Sequence, residues 1–132
     1  MSKPLGFDVY LNSSYDEAVT AVTTELQKEG FGVLTEIDVK ATLKKKLVVD
    51  FRPYKILGAC NPTLAHKALT LVPEVGLLLP CNVTVAQEED GRIHISIIDP
   101  QQMLGMVDHP GLEEIACDAE ERLRRVASAL QQ

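Results

Sequence analysis

The stretch Leu77-Leu78-Leu79-Pro80-Cys81-Asn82-Val83-Thr84-Val85-Ala86-Gln87-Glu88-Glu89-Asp90-Gly91-Arg92-Ile93-His94-Ile95-Ser96-Ile97-Ile98 reads as a β-hairpin. Leu77 to Ala86 is the first strand and Arg92 to Ile98 the second, with Ile93, Ile95 and Ile97 on one face. Glu89-Asp90-Gly91 makes the turn, and Gly91 supplies the positive φ that such turns need. At least this pair of strands is therefore antiparallel. Pro80 marks an edge, a strand start or a bulge, because proline gives a ladder no donor.

The hairpin follows two β-α units. In residues 5–12, Phe7, Val9 and Leu11 alternate with polar neighbours, which predicts a strand. Ser14-Tyr15-Asp16-Glu17 is a capping box, in which Ser14 accepts from the Glu17 amide and Glu17 reaches back to the Ser14 amide. Ala18, Val19, Val22 and Leu26 form the buried stripe of the helix that follows, and Gly30 suits its left-handed end. Phe31 to Ile37 reads as a strand with Phe31, Val33, Thr35 and Ile37 on one face. Asp38 can cap a short helix through Leu47.

Tyr54 to Cys60 is the next strand. Asn61 then caps a helix with Pro62 in its first turn, where the missing N–H costs nothing. Leu64, Ala65, Ala68 and Leu69 are its apolar stripe, and Pro73 closes it. Beyond the hairpin, residues 101–109 read as a loop exposing Met103, Leu104 and Met106. Pro110 opens a final helix with the stripe Leu112, Ile115, Ala116, Ala119, Leu123, Val126 and Leu130. The pattern is an α+β chain: an antiparallel sheet covered by helices, in one domain over residues 1–132.

Composition narrows the class further. The chain has 132 residues, 45% of them hydrophobic and 24% charged, which fits a globular domain with its own core. No apolar run approaches membrane-spanning length and no secretory leader is visible, so a cytoplasmic location with no membrane partner is expected. The net charge of −6 disfavours nucleic acid as a partner, because phosphate contacts dominate such binding. The charge is uneven. Lys40, Lys44, Lys45, Lys46, Arg52 and Lys55 face only Asp50 in residues 40–55, so that segment is either a solvated face or a site for a small anion.

Cys60, Cys81 and Cys117 are odd in number and widely spaced, which speaks against a disulfide framework. Two readings stand for Cys60. At the end of a strand and just before a helix start it can be a working thiol, since amides and the helix dipole stabilise a thiolate there. It can equally be a small residue that packs closely, as Gly58-Ala59-Cys60 suggests. Cys81 comes near it if the two strands pair, which would permit redox chemistry or metal binding. Cys117 falls off the apolar stripe of the last helix. The three histidines have no metal spacing, and no nucleotide, hydrolase or cofactor motif is present, so no catalytic residue and no cofactor is assigned.

Three segments are similar to one family: Phe31-Gly32-Val33-Leu34-Thr35-Glu36-Ile37-Asp38, Phe51-Arg52-Pro53-Tyr54-Lys55-Ile56-Leu57-Gly58-Ala59-Cys60-Asn61-Pro62, and Leu78-Leu79-Pro80-Cys81-Asn82-Val83. They resemble the domain of unknown function 302 family. The resemblance implies a β-α-β(4)-α core of the TATA-box-binding-protein-like kind with extra short helices, often dimeric, in bacteria or archaea. It implies no activity. The expectation is a non-enzymatic homodimer that binds a small ligand or protein partner, with Cys60, Asn61, Cys81, Arg52 and Lys55 as candidate ligand residues. The alternative is a thiol-based redox or metal-binding protein that uses Cys60 with Cys81.

Overall fold

Ile93, Ile95 and Ile97 are buried while His94, Ser96 and Ile98 are half-exposed, so the alternation read from the sequence is the alternation of the sheet. The computed structural model describes residues 4–131. The elements run β1 (Gly6–Leu11), α1 (Tyr15–Lys28), β2 (Gly32–Asp38), α2 (Val39–Leu47), β3 (Tyr54–Cys60) and α3 (Pro62–Leu71). A 3₁₀ turn (Pro73–Leu78) follows, then β4 (Cys81–Gln87), β5 (Ile93–Ile98), α4 (Pro100–Leu104) and α5 (Pro110–Gln131). The β-α-β(4)-α order is present with additional short helices. The sheet has five strands in the order β1-β5-β4-β3-β2, and every neighbouring pair is antiparallel.

One face of the sheet carries Val9, Ile95, Ile97, Val83, Val85, Leu57 and Ala59, all buried. The α1 stripe of Ala18, Val22 and Leu26 and the whole predicted stripe of α5 are buried in the same core cluster. Each fully buried aliphatic side chain contributes about 1.5–3 kcal/mol relative to exposure. The hairpin turn is closed by the Glu88 amide on the Arg92 carbonyl at 2.8 Å, with Gly91 at φ 88°. Asp38 caps α2 through the Ala41 amide at 2.9 Å. That helix buries none of its residues.

Four expectations need correction. The strand predicted over 77–86 starts only at Cys81. Leu77 and Leu78 lie in the 3₁₀ turn, and Pro80 stands just outside the ladder, at the strand-start position open to a residue without an N–H. The Leu79–Pro80 peptide is cis. In β2, Val33 opposes Ala59 and Thr35 opposes Gly58, so Leu34 is an extra residue. This bulge ends the shared face: Thr35 and Ile37 lie on the opposite side from Val33. Residues 100–104 form α4 where a loop is expected, capped by Asp99 on the Gln101 amide at 2.9 Å. Leu104 is buried, Met103 half-buried, and only Met106 of that trio is exposed. Lastly, the Glu17 amide donates to Ser14 Oγ at 3.2 Å, but the Glu17 carboxylate accepts the Ser14 hydroxyl at 2.9 Å and not the Ser14 amide.

Candidate functional site

The antiparallel pairing gathers the last residues of β3, the first of β2 and β4, and the start of α3 at one end of the sheet. There they enclose a cavity of about 340 Å³ with the 3₁₀ turn, α4 and α5. Its walls are nearly all apolar: Phe31, Leu79 and Pro80 from the strand side, Leu64, Ala65, Ala68 and Leu69 from α3, Met103 and Leu104 from α4, and Ile115 and Ala119 from α5. Leu34 and Leu69, 69% and 39% exposed, mark where it opens to solvent. The bulge in β2 is what turns Leu34 to that mouth. The polar side chains of the lining are Thr35, Cys60, Asn61 and Cys81, and among the described residues no charged group or histidine joins them.

Asn61 is buried and fixes the cavity's corner. Its Oδ1 accepts the Leu64 amide at 3.1 Å, the expected cap, and fills one of the orphan donors at the start of α3. Its Nδ2 lies so close to Gly30 that a Cβ there would sit 2.9 Å away. Gly30 also holds φ 85°, so the end of α1 requires glycine twice over. Arg122 Nη1 donates to the Glu29 carbonyl at 3.0 Å and ties this corner to α5. Gly58 is likewise forced to be small, because a Cβ would run into the Thr35 side chain and Pro80 Cγ.

Cys60 is half-exposed and Cys81 buried, both as free thiols, and both line the cavity. Cys81 opposes Ala59, the neighbour of Cys60. Burial, and then the negative charge available to Cys60, push the Cys81 thiol up to about 11. Cys117 is exposed on α5, away from the cavity. No group of three or more His, Cys, Asp or Glu side chains that could hold a metal occurs among the described residues.

Arg52 and Lys55 do not join the thiols. They belong to the opposite end of β3. Arg52 pairs with Glu88 at 2.8 Å, and Lys55 with Glu36 at 2.9 Å. The hydrogen bond to Glu36 raises the Lys55 pKa against the opposing effect of burial. Lys55 also lies 5.8 Å from the centre of the Tyr15 ring. Burial, followed by the charges of Asp38, Glu36 and Asp16, pushes the Tyr15 phenol up to about 12. Lys44 is drawn to Asp50 at 3.2 Å. On the open face nearby, His94 Nε2 meets Asp8 at 2.8 Å, its Nδ1 lies 3.3 Å from Glu88, and Tyr10 stacks on its ring at 4.5 Å. Three cations of the basic segment, Lys44, Arg52 and Lys55, are thus each engaged by a carboxylate, while Lys40 donates to the Phe51 carbonyl at 2.7 Å.

The sequence pointed to Cys60, Asn61 and Cys81 but missed most of the cavity. Ala65, Ala68 and Ala119 read only as stripe residues, although small side chains facing one another across two helices are what leave a space. Leu34 was hidden by the bulge, and Met103 and Leu104 by the loop reading.

These features define a class: a five-stranded antiparallel α+β protein with an apolar, thiol-bearing cavity at one end of its sheet. The family model "Domain of unknown function DUF302" matches residues 7–130, and the chain belongs to that family. It is similar to the crystal structure of an uncharacterized conserved DUF302 protein from Bacillus stearothermophilus, with TM-score 0.88 and 34% identity over 98% of this chain and 100% of that one. It is also 25% identical over 113 residues to an uncharacterized protein of Aquifex aeolicus (strain VF5), covering 83% of this chain and 72% of that one. Both relatives are bacterial.

Proposed function

We propose that this chain is a non-enzymatic binding module whose ligand is a small, mostly apolar molecule held in the cavity between β3, β4, α3, α4 and α5. The carrying observation is the cavity itself: about 340 Å³, open at Leu34 and Leu69, with uncharged walls. Ligand pockets are usually of this kind, apolar with a few convergent polar groups, here Thr35, Cys60, Asn61 and Cys81. An anionic ligand is the weaker reading, since Arg52 and Lys55 are engaged elsewhere by Glu88 and Glu36. The test is titration with a neutral naphthylamine fluorophore. Saturable binding at one site per chain is expected, and Ala65→Leu, which fills the cavity, should weaken it at least tenfold. Absence of saturable binding, or equal binding by the filled variant, would end the reading.

The module is further proposed to act as a cytoplasmic single-domain homodimer. Exposed Ile37, Leu47, Val48, Val49 and Phe51 cluster where β2, α2 and β3 meet, and β2 is an edge strand that benefits from cover. Light scattering at micromolar concentration decides this, and a monomeric mass rules the dimer out. No nucleic-acid role is attached to the TATA-box-binding-protein-like resemblance. The net charge of −6 is the wrong sign for one, and a fold does not bring a function with it.

A further inference from the structure

Among the described residues no His, Asp, Glu, Lys or Arg lines the apolar cavity, so it offers a bound molecule no imidazole or carboxylate base and no charged stabiliser. What it does offer is two free thiols, one half-exposed and one buried. Hydrolysis and phosphoryl or glycosyl transfer all need groups that this lining lacks. Thiol-only chemistry with a soft electrophile needs none of them. We propose that Cys60 captures apolar α,β-unsaturated carbonyl compounds, such as straight-chain alkenals, whose hydrocarbon tail lies in the cavity.

The step is a conjugate addition. The Cys60 sulfur bonds to the β-carbon, the carbon–carbon π bond breaks, and its electron pair takes a proton at the α-carbon. The buried Cys81 thiol shares the cavity and keeps its proton at neutral pH, so it can supply that proton and recover one from the proton Cys60 releases. The net change is addition of one S–H across one double bond. Nothing is oxidised and nothing leaves, so no co-reactant is required. The tail supplies the selectivity: roughly 0.8 kcal/mol of transfer free energy per buried methylene corresponds to about fourfold in affinity for each carbon added.

This inference rests on the apolar-ligand reading, and Cys117 provides an internal control. It is an exposed thiol on α5 that does not line the cavity. The intact protein is treated with alkenals from butenal to octenal, and the adducts on Cys60 and Cys117 are counted by peptide mass spectrometry. The ratio is normalised to the urea-unfolded chain, where both thiols are equally open. The Cys60-to-Cys117 ratio should rise about fourfold per methylene until the cavity is full. Ala65→Leu should flatten that rise. A ratio that does not change with chain length overturns the proposal. If the neutral fluorophore still binds saturably in that case, the thiol capture alone fails. If it does not, the cavity reading falls too. The decisive measurement uses the unmodified chain, so it does not depend on a cysteine variant folding.

Discussion

The two ends of the seven-residue strand β3 are chemically opposite. At the Cys60 end, side chains are apolar or weakly polar, the walls come from four different helical segments, and a cavity remains. At the Tyr54 end, Arg52, Lys55 and Lys44 are each tied to a carboxylate, and the neighbouring α2 buries nothing. The candidate residues with the most conspicuous charge therefore belong to the end that is already neutralised. Those with the least charge belong to the end with room for something else. A strand carries both because its environment is set by what its termini feed into: a helix turned onto the core at one end, a solvated excursion at the other.

The sharpest way to break this contrast is to place a charge at the cavity end. Ala59 is fully buried, so Ala59→Asp buries an unpaired carboxylate and should cost about 3–5 kcal/mol, read as a drop in the urea midpoint. A loss under about 1 kcal/mol would mean that the cavity end is wetter than its walls suggest.

The second effect is a dependence on alkaline pH. The Cys81 thiol moves from its ordinary 9.0 to about 11 in the fold, so the native state holds its proton where the unfolded chain has released it. Its contribution is intact below about pH 9 and is lost as pH rises toward about 11, with a ceiling of roughly 2–3 kcal/mol. Cys81→Ala should show a shallower decline across that window in chemical denaturation. Parallel pH curves for the two proteins would remove burial as the cause.

The smallest contrast compares single contacts at the two ends. Asn61→Ala removes a buried cap and should cost about 1 kcal/mol, unaffected by salt. Arg52→Ala removes a partly exposed ion pair and should cost no more than about 1 kcal/mol, with the difference fading in high salt. Thermal melts at two ionic strengths separate them. A salt-sensitive Asn61→Ala would contradict the capping role.

Legibility in the sequence followed the same division. Elements governed by local chemistry were readable: the Gly91 turn, the Asn61 and Asp38 caps, the isoleucine alternation of β5 and the apolar stripe of α5. What was not readable depends on neighbours distant in sequence. The Leu34 bulge arises from pairing β2 with β3, and α4 is covered because α5 folds back over it. The cavity has no sequence signal of its own, since an alanine that packs and an alanine that leaves a space are the same letter. Arg52 and Lys55 looked available because their partners are distant in the chain: Glu88 in the β4–β5 turn and Glu36 on β2.

The place of β1 in the sheet has a kinetic consequence. The β4–β5 hairpin closes through a turn of a few residues, whereas Gly6 must find Ile98 across almost the whole chain. The entropy of closing such a loop is met only after the intervening strands have assembled, so β1 is expected to dock last. Until it does, β5 presents an open edge of isoleucines that the β1 of another molecule fits as well as its own. Strand exchange between chains then competes with completion of each sheet. The signature would be a refolding yield that falls with protein concentration while the molecules that do complete their own sheets are unchanged in fold.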